Sequence, residues 1–150
     1  MLIFWGVFYI VLLLAIAVTV LRIGERESVI AILIVFMGSM MTIAAVFISQ
    51  AKYKVFSGLV TSVDFVVLAA FLWQALRSRR YWTLCLPALQ LITCFTHIVK
   101  YVAPEFLPRV YIAGQGIWTY PMLALIVGAA LWARADRKAR AGEVQGERSR

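Results

Sequence analysis

Residues 82–102 of this chain read WTLCLPALQLITCFTHIVKYV. The stretch is long and apolar enough to cross a bilayer as a helix, which takes about 20 predominantly apolar residues. Helical geometry, at about 100° per residue, places its most polar side chains on one face. That face holds Gln90, Cys94, His97 and Tyr101. Because lipid offers these groups no partners, we expect the face to turn toward other helices of the protein.

The composition of the whole chain indicates an integral membrane protein. Of its 150 residues, 63% are hydrophobic and 15% are charged, whereas soluble domains average about 45–50% apolar and about 25% charged residues. The apolar runs are continuous over about 20 residues, while the strands of an outer-membrane barrel alternate over about 10. The sequence therefore predicts an all-α fold, as one compact helical bundle in a membrane.

Five apolar runs predict five transmembrane helices, which together form a domain over residues 1–133. A basic cytoplasmic tail follows over 134–150. We expect the last helix to fray a few residues into this tail, because the tail has no apolar face to bury. The tight turn after the third helix predicts an antiparallel hairpin of helices three and four. The predicted spans are about 1–21, 28–49, 58–76, 82–102 and 110–132.

Loops and helix breakers divide these spans. Residues 50–57 are predicted to form a loop in the headgroup layer. Pro87 is expected to kink the fourth span, since proline removes a helical donor. The last span contains Gly114-Gln115-Gly116 and Pro121, and the sequence leaves open whether it is continuous or broken there.

The basic residues predict the orientation. With the N-terminus outside, eleven of the fifteen Lys and Arg residues fall on the cytoplasmic side and four fall outside. This distribution follows the positive-inside rule and predicts a multi-pass protein of the cell inner (plasma) membrane. The net charge of +8 is then explained by topology and by contacts with anionic lipid headgroups, so no nucleic-acid partner is predicted.

Two rows of small residues predict close contacts between helices. The first row lies on the second span and consists of Gly38, Thr42, Ala45 and Ser49. The second row, Ala124 and Gly128, lies on the last span. We interpret both rows as helix-packing surfaces rather than as binding sites.

An acid and an imidazole are expected to meet in the outer half of the bundle. Asp64 and His97 each lie about six residues, or roughly 9 Å, below the outer end of their helix. A charged residue near a helix centre costs about 2.5–3.5 kcal/mol, which a partner relieves. Asp64 is therefore predicted to pair with His97, or with Lys100 or Arg109 nearer the surface. The predicted site also includes Gln90, Thr61, Tyr101 and Gln115.

Two interpretations of this pair stay open. Asp64 and His97 could be an interhelical tie that only fixes packing, a kind of bond that averages about 0.6 kcal/mol in membrane proteins. Alternatively, the pair binds a proton, a small ligand or a quinone head group, since histidine can change its charge near neutral pH.

Enzymatic, metal and redox chemistry have little support in the sequence. HExxH, GxSxG, paired-carboxylate and Gly-rich phosphate-loop motifs are absent, so we expect no enzyme. A single histidine rules out a bis-histidine haem within one chain; His–Met haem and a quinone remain as less favoured cofactors, and no metal site is predicted. Cys85 and Cys94 fall on opposite faces of one helix and cannot form a disulfide.

Two functions are compatible with these features. The first is a non-enzymatic subunit or assembly factor that docks on a larger membrane complex through its small-residue rows, with a polar pocket near the outer face. The alternative is a small, homo-oligomeric, proton-coupled transporter or channel that uses an intramembrane Asp–His pair. The expected partners are thus membrane lipids and either another membrane protein or further copies of the chain.

Overall fold

The computed structural model describes residues 2–48, 53–102 and 117–148, with the side chains of 7–45, 47–48, 58–99 and 117–143. These residues form five α-helices, so the prediction of an all-α fold is confirmed. A 3-10 turn, Tyr81–Leu84, leads into the fourth helix. The helices are α1 (Leu2–Ile23), α2 (Arg26–Ile48), α3 (Tyr53–Arg77), α4 (Cys85–Val102) and α5 (Thr119–Arg148).

Three helical segments are long and apolar enough to cross a membrane. They are Arg26–Ala45 in α2, Gly58–Arg77 in α3, and Tyr81–Val99, which joins the 3-10 turn to α4. The described part of α1 adds a shorter apolar segment, Val7–Ile23. The predicted fifth span is described only from residue 117 onward, since 110–116 lie outside the described residues.

Helix α2 occupies the centre of the bundle and packs against α1, α3 and α5. On one side of it stands the α3–α4 hairpin, and on the other side α1 packs against α5. Each helix contributes a buried side chain to one apolar core, so the five helices form a single bundle. Fully buried examples, in helix order, are Leu13, Ile32, Phe71, Leu86 and Ile126.

Gly24 makes the tight turn between α1 and α2. Its amide donates a hydrogen bond to the Val20 carbonyl at 2.7 Å. A Cβ at this position would lie 2.5 Å from that same oxygen, so a larger residue would push the chain apart. α1 therefore ends just before Gly24, and α2 begins two residues after it.

Both prolines of the apolar helices lie in a first turn. Pro87 is the third residue of α4, and Pro121 is the third residue of α5. Amides in the first turn of a helix have no intrahelical acceptor, so proline costs no hydrogen bond there. Pro87 therefore removes no hydrogen bond from within α4, and the predicted kink of the fourth span stays a prediction. Residues 114–116 lie outside the described residues.

Two helices are longer than predicted. α3 begins at Tyr53, inside the segment predicted as a loop, because no breaker separates Tyr53 from Gly58. α5 continues to Arg148 instead of fraying early. Its tail is rich in Ala, Arg, Lys and Glu, which favour helix, and it extends an already nucleated helix. Arg137 also donates a hydrogen bond to the Ile23 carbonyl at the end of α1.

The two rows of small residues have different surroundings. Gly38 faces Val67 of α3 so closely that a Cβ would lie 2.6 Å from the Val67 Cγ2, and Ala45 is buried. By contrast, Ala124 and Gly128 lie on the exposed side of α5, where a Cβ on Gly128 would meet nothing within 4 Å. α5 packs through its opposite face, which carries Met122, Leu123, Ile126 and Ala130. Ser49 lies outside the described residues.

Candidate functional site

Asp64 of α3 and His97 of α4 are in direct contact. The Oδ2 atom of Asp64 lies 2.6 Å from the Nε2 atom of His97. The His97 side chain has no exposed surface, and 19% of the Asp64 side chain is exposed. With Asp64 ionised, its carboxylate only accepts hydrogen bonds, so the facing Nε2 atom is the donor in that state. The bond is thus of the charge-assisted kind, which is shorter and stronger than a neutral one.

Two further described side chains belong to the network. The Gln90 amide nitrogen donates to Asp64 at Oδ1 and at the main-chain carbonyl, each at 3.2 Å. On the other side of the imidazole, the Thr61 hydroxyl lies 3.1 Å from the Nδ1 atom of His97. A hydroxyl can either donate or accept, so Thr61 suits His97 with or without a proton on Nδ1.

The antiparallel hairpin explains why these four residues meet. Thr61 and Asp64 are nearly one turn apart on α3, and Gln90 and His97 are two turns apart on α4. Because α3 and α4 are antiparallel, residues that come later along α3 face residues that come earlier along α4. Thr61 therefore faces His97, and Asp64 lies between His97 and Gln90. The short connection through the 3-10 turn fixes this register, because it leaves little chain to slide.

Asp64 and Gln90 also line a cavity of about 250 Å³ between α2, α3, α4 and α5. Its other polar lining groups are Ser39, Thr42 and Thr119. The volume equals that of about eight water molecules at roughly 30 Å³ each. It is slightly smaller than the range of about 300–1,000 Å³ typical of sites for drug-sized ligands. The cavity therefore suits water molecules or a small polar solute.

Directly below this polar lining the core is apolar. Phe71 and Val35 form the floor of the cavity, and the fully buried Leu86 and Ile126 belong to the core beneath. Across the described residues, no polar lining continues from the cavity to the far end of the bundle, where Gln74 donates instead to the Glu27 carbonyl. In the described part of the chain, the cavity is a pocket rather than a through-channel.

Among the described residues, the network has two ionisable members, Asp64 and His97. With Asp64 ionised and His97 neutral, the network carries one negative charge, and a single added proton neutralises it. The described residues include no group of three His, Cys, Asp or Glu side chains that could hold a metal ion. Chemically, the network can accept one proton, or it can attract one small cation.

The structure brings together four of the predicted site residues: Asp64, His97, Gln90 and Thr61. Asp64 pairs with His97, one of the partners predicted for it. Lys100 and Tyr101 belong to the last turn of α4, but their side chains lie outside the described part, as do Arg109 and Gln115 entirely.

Four polar residues near the cavity were not predicted as site residues. Thr42 was assigned only to helix packing, and its hydroxyl donates to the Gly38 carbonyl at 3.0 Å while lining the cavity. Ser39 lines the cavity beside Tyr9, whose hydroxyl lies 2.7 Å from the serine Oγ. Thr119, at the start of α5, is the fourth. The sequence feature that could have identified these residues is a hydroxyl group within an apolar helix.

Comparison with family models, with curated proteins and with solved structures finds no match to this chain. The fold and site together define only a class, an all-helical protein with three helices that could span a membrane and a polar network between two of them. The function proposed below is therefore based on the Asp64–His97 network alone.

Proposed function

We propose that this chain is a multi-pass inner-membrane protein that crosses the bilayer five times. The three long apolar segments support insertion. The excess of Lys and Arg at one end of the bundle supports an outside N-terminus and a cytoplasmic C-terminus. In this orientation the Asp64 cavity lies in the outer half, and the Arg-rich turn between α3 and α4 faces the cytoplasm.

We further propose that the protein exchanges protons for a small monovalent organic cation at the Asp64 cavity. The observation that carries this proposal is that one carboxylate both lines the cavity and binds a fully buried histidine. A buried ionised carboxylate is costly in a membrane unless a positive charge accompanies it. Either a proton or a cation supplies that charge.

Competition for one negative charge explains the coupling. When the network holds a proton its net charge is zero, and binding a cation would then leave an uncompensated positive charge in a low-dielectric site. When the proton leaves, the carboxylate attracts the cation. Proton and cation thus exclude each other, as an exchanger requires. Gln90 and the hydroxyl groups of Ser39 and Thr42 supply polar contacts for the solute.

The apolar floor favours an exchanger over an open channel. Phe71 and the core below it block passage in this conformation, so transport requires a second conformation in which the cavity opens to the cytoplasm. Alternating exposure of one central site is how secondary transporters work in general. The oligomeric state of the exchanger is a separate quantity to be measured.

The test uses guanidinium as the cation, because it is small, always charged and able to bind a carboxylate through two hydrogen bonds. Proteoliposomes with an acidic interior and an entrapped pH dye receive guanidinium outside. We expect protons to leave the liposomes with the wild-type protein and not with Asp64→Asn. Asp136→Asn, which removes an exposed acid from the α5 tail, is the matched control and should behave as wild type. Equal proton movement in protein-free liposomes would overturn the proposal.

The alternative proposal is a subunit or assembly factor of a larger membrane complex. Ala124 and Gly128 lie exposed on α5 and would allow another helix to approach. The same surface could also contact a lipid chain, so its exposure is equally compatible with the exchanger proposal. Purification in mild detergent at native expression level distinguishes the two, because a subunit is expected to retain a stoichiometric protein partner.

A further inference from the structure

A second cavity lies at the opposite end of the bundle from Asp64. It has a volume of about 780 Å³ and lies between the α3–α4 turn and the outer face of α5. We call it the turn cleft. One side is formed by the turn residues Arg79, Arg80, Tyr81 and Trp82, with Glu25 beside them. The other side is the apolar face of α5, from Ala124 to Ala133. The cleft therefore has a basic end and an apolar groove.

The basic end favours an anion. Arg80 is held in place by Glu25, whose carboxylate lies 2.7 Å from one guanidinium nitrogen. This ion pair leaves the other N–H groups of Arg80 available, because a guanidinium has five donors. Arg79 is exposed and has no acidic partner among the described residues. The two adjacent guanidinium groups outweigh the single carboxylate, so the mouth of the cleft is positively charged.

Aromatic side chains place this mouth at a membrane boundary. Tyr81 is 89% exposed and Trp132 is 76% exposed, and both line the cleft with the half-buried Trp82. Exposed Trp and Tyr residues at the end of apolar helices are typical of the headgroup layer. From Trp132 the groove follows α5 for two turns toward Ala124, a length of about 12 Å along the helix. It therefore descends from the headgroup layer into the hydrocarbon region.

We infer that the turn cleft binds one anionic phospholipid. Its phosphate contacts the guanidinium groups of Arg79 and Arg80, and one acyl chain lies along α5 over Gly128 and Ala124. Charge complementarity selects the anionic headgroup, and the missing side chain at Gly128 makes space for the acyl chain. The inference rests on membrane insertion of the chain but not on the Asp64 cavity, so either can fail without the other.

Native mass spectrometry of the full chain in mild detergent tests the inference, with equal amounts of phosphatidylglycerol and phosphatidylcholine added. We expect one phosphatidylglycerol per chain and no comparable phosphatidylcholine adduct. Arg79→Gln should weaken binding about fivefold, the equivalent of the roughly 1 kcal/mol that one basic residue contributes at an anionic surface. Gly128→Leu should abolish the adduct, because a Cβ at this position meets nothing within 4 Å and the leucine side chain would then occupy the groove.

Matched variants control for charge and for glycine replacement. Arg22→Gln removes an exposed arginine from outside the cleft, and Gly142→Leu changes an exposed glycine in the tail with equally open surroundings. Both should retain the adduct at wild-type affinity. The inference is overturned if the two lipids bind equally, if Arg79→Gln or Gly128→Leu leaves the adduct unchanged, or if a protein helix from a partner occupies the cleft.

Discussion

The Nε2 atom of His97 lies 2.6 Å from the Oδ2 atom of Asp64, and this contact joins α3 to α4 inside the bundle. Each partner is held from its other side, His97 by the Thr61 hydroxyl and Asp64 by the Gln90 amide. The pair is thus oriented by its neighbours. Of the two residues, Asp64 lines the cavity, and His97 is fully buried beside it.

Removing both partners of this pair together should destabilise the bundle by less than the sum of the two single-mutant effects. We expect a double-mutant cycle of Asp64→Asn and His97→Gln to give a coupling energy of about 0.6–1.7 kcal/mol, the range for interhelical hydrogen bonds in a membrane protein. Reversible unfolding in mixed detergent micelles measures it.

Thr61→Val provides a comparison within the same network, since it removes a hydroxyl that lies against the far nitrogen of the ring. Its coupling to Asp64→Asn should be smaller than that of His97→Gln. A coupling energy near zero for Asp64 and His97 would show that the contact does not form in the membrane-embedded protein.

Close packing of α2 on α3 depends on the missing side chain at Gly38. Gly38→Ala would place a methyl group 2.6 Å from the Val67 Cγ2 atom. Overpacking of this kind costs about 1–3 kcal/mol, which outweighs the gain of about 1 kcal/mol from alanine's higher helix propensity. We expect a net loss in the free energy of unfolding, and partial recovery when Val67→Ala makes room.

Gly128→Ala is the control for this prediction, because it is also helical and its Cβ meets nothing within 4 Å. It should be neutral or stabilising by up to about 1 kcal/mol. If Gly38→Ala and Gly128→Ala had the same effect, the close approach of α2 and α3 would be contradicted.

The proposed orientation predicts a cytoplasmic C-terminus. A green fluorescent protein fused after Arg150 should fluoresce, whereas alkaline phosphatase at the same site should be inactive, since it requires the oxidising exterior. Replacing Arg77, Arg79 and Arg80 by glutamine should weaken this preference, because basic residues in short loops set the topology. An active phosphatase fusion on the wild-type chain would contradict the orientation.

The sequence predicts the Asp64–His97 contact because only two local quantities decide it. One is the depth of each residue below its helix end, which residue counting gives, and the other is the short turn that makes α3 and α4 antiparallel neighbours. Gln90 and His97 also share a helical face by spacing alone. The buried face of α4 was therefore predictable before any coordinates.

The remainder of the cavity was not predictable in this way. The contributions of Ser39 on α2 and Thr119 on α5 depend on how those helices rotate about their axes, and that rotation is decided by tertiary packing. An almost uniformly apolar helix has no polar face that would fix its rotation. The exposed position of Ala124 and Gly128 has the same cause, because α5 turned its larger apolar side chains to the core.

The proposed exchange requires that one negative charge at Asp64 holds a proton and a cation in turn. Calorimetric titration of the detergent-purified protein with guanidinium, in two buffers that differ in ionisation enthalpy, counts the protons released for each cation bound. The claim predicts release approaching one proton per guanidinium at acidic pH for the wild-type protein, and no binding by Asp64→Asn. Guanidinium binding without proton release, or equal binding by Asp64→Asn, would contradict it.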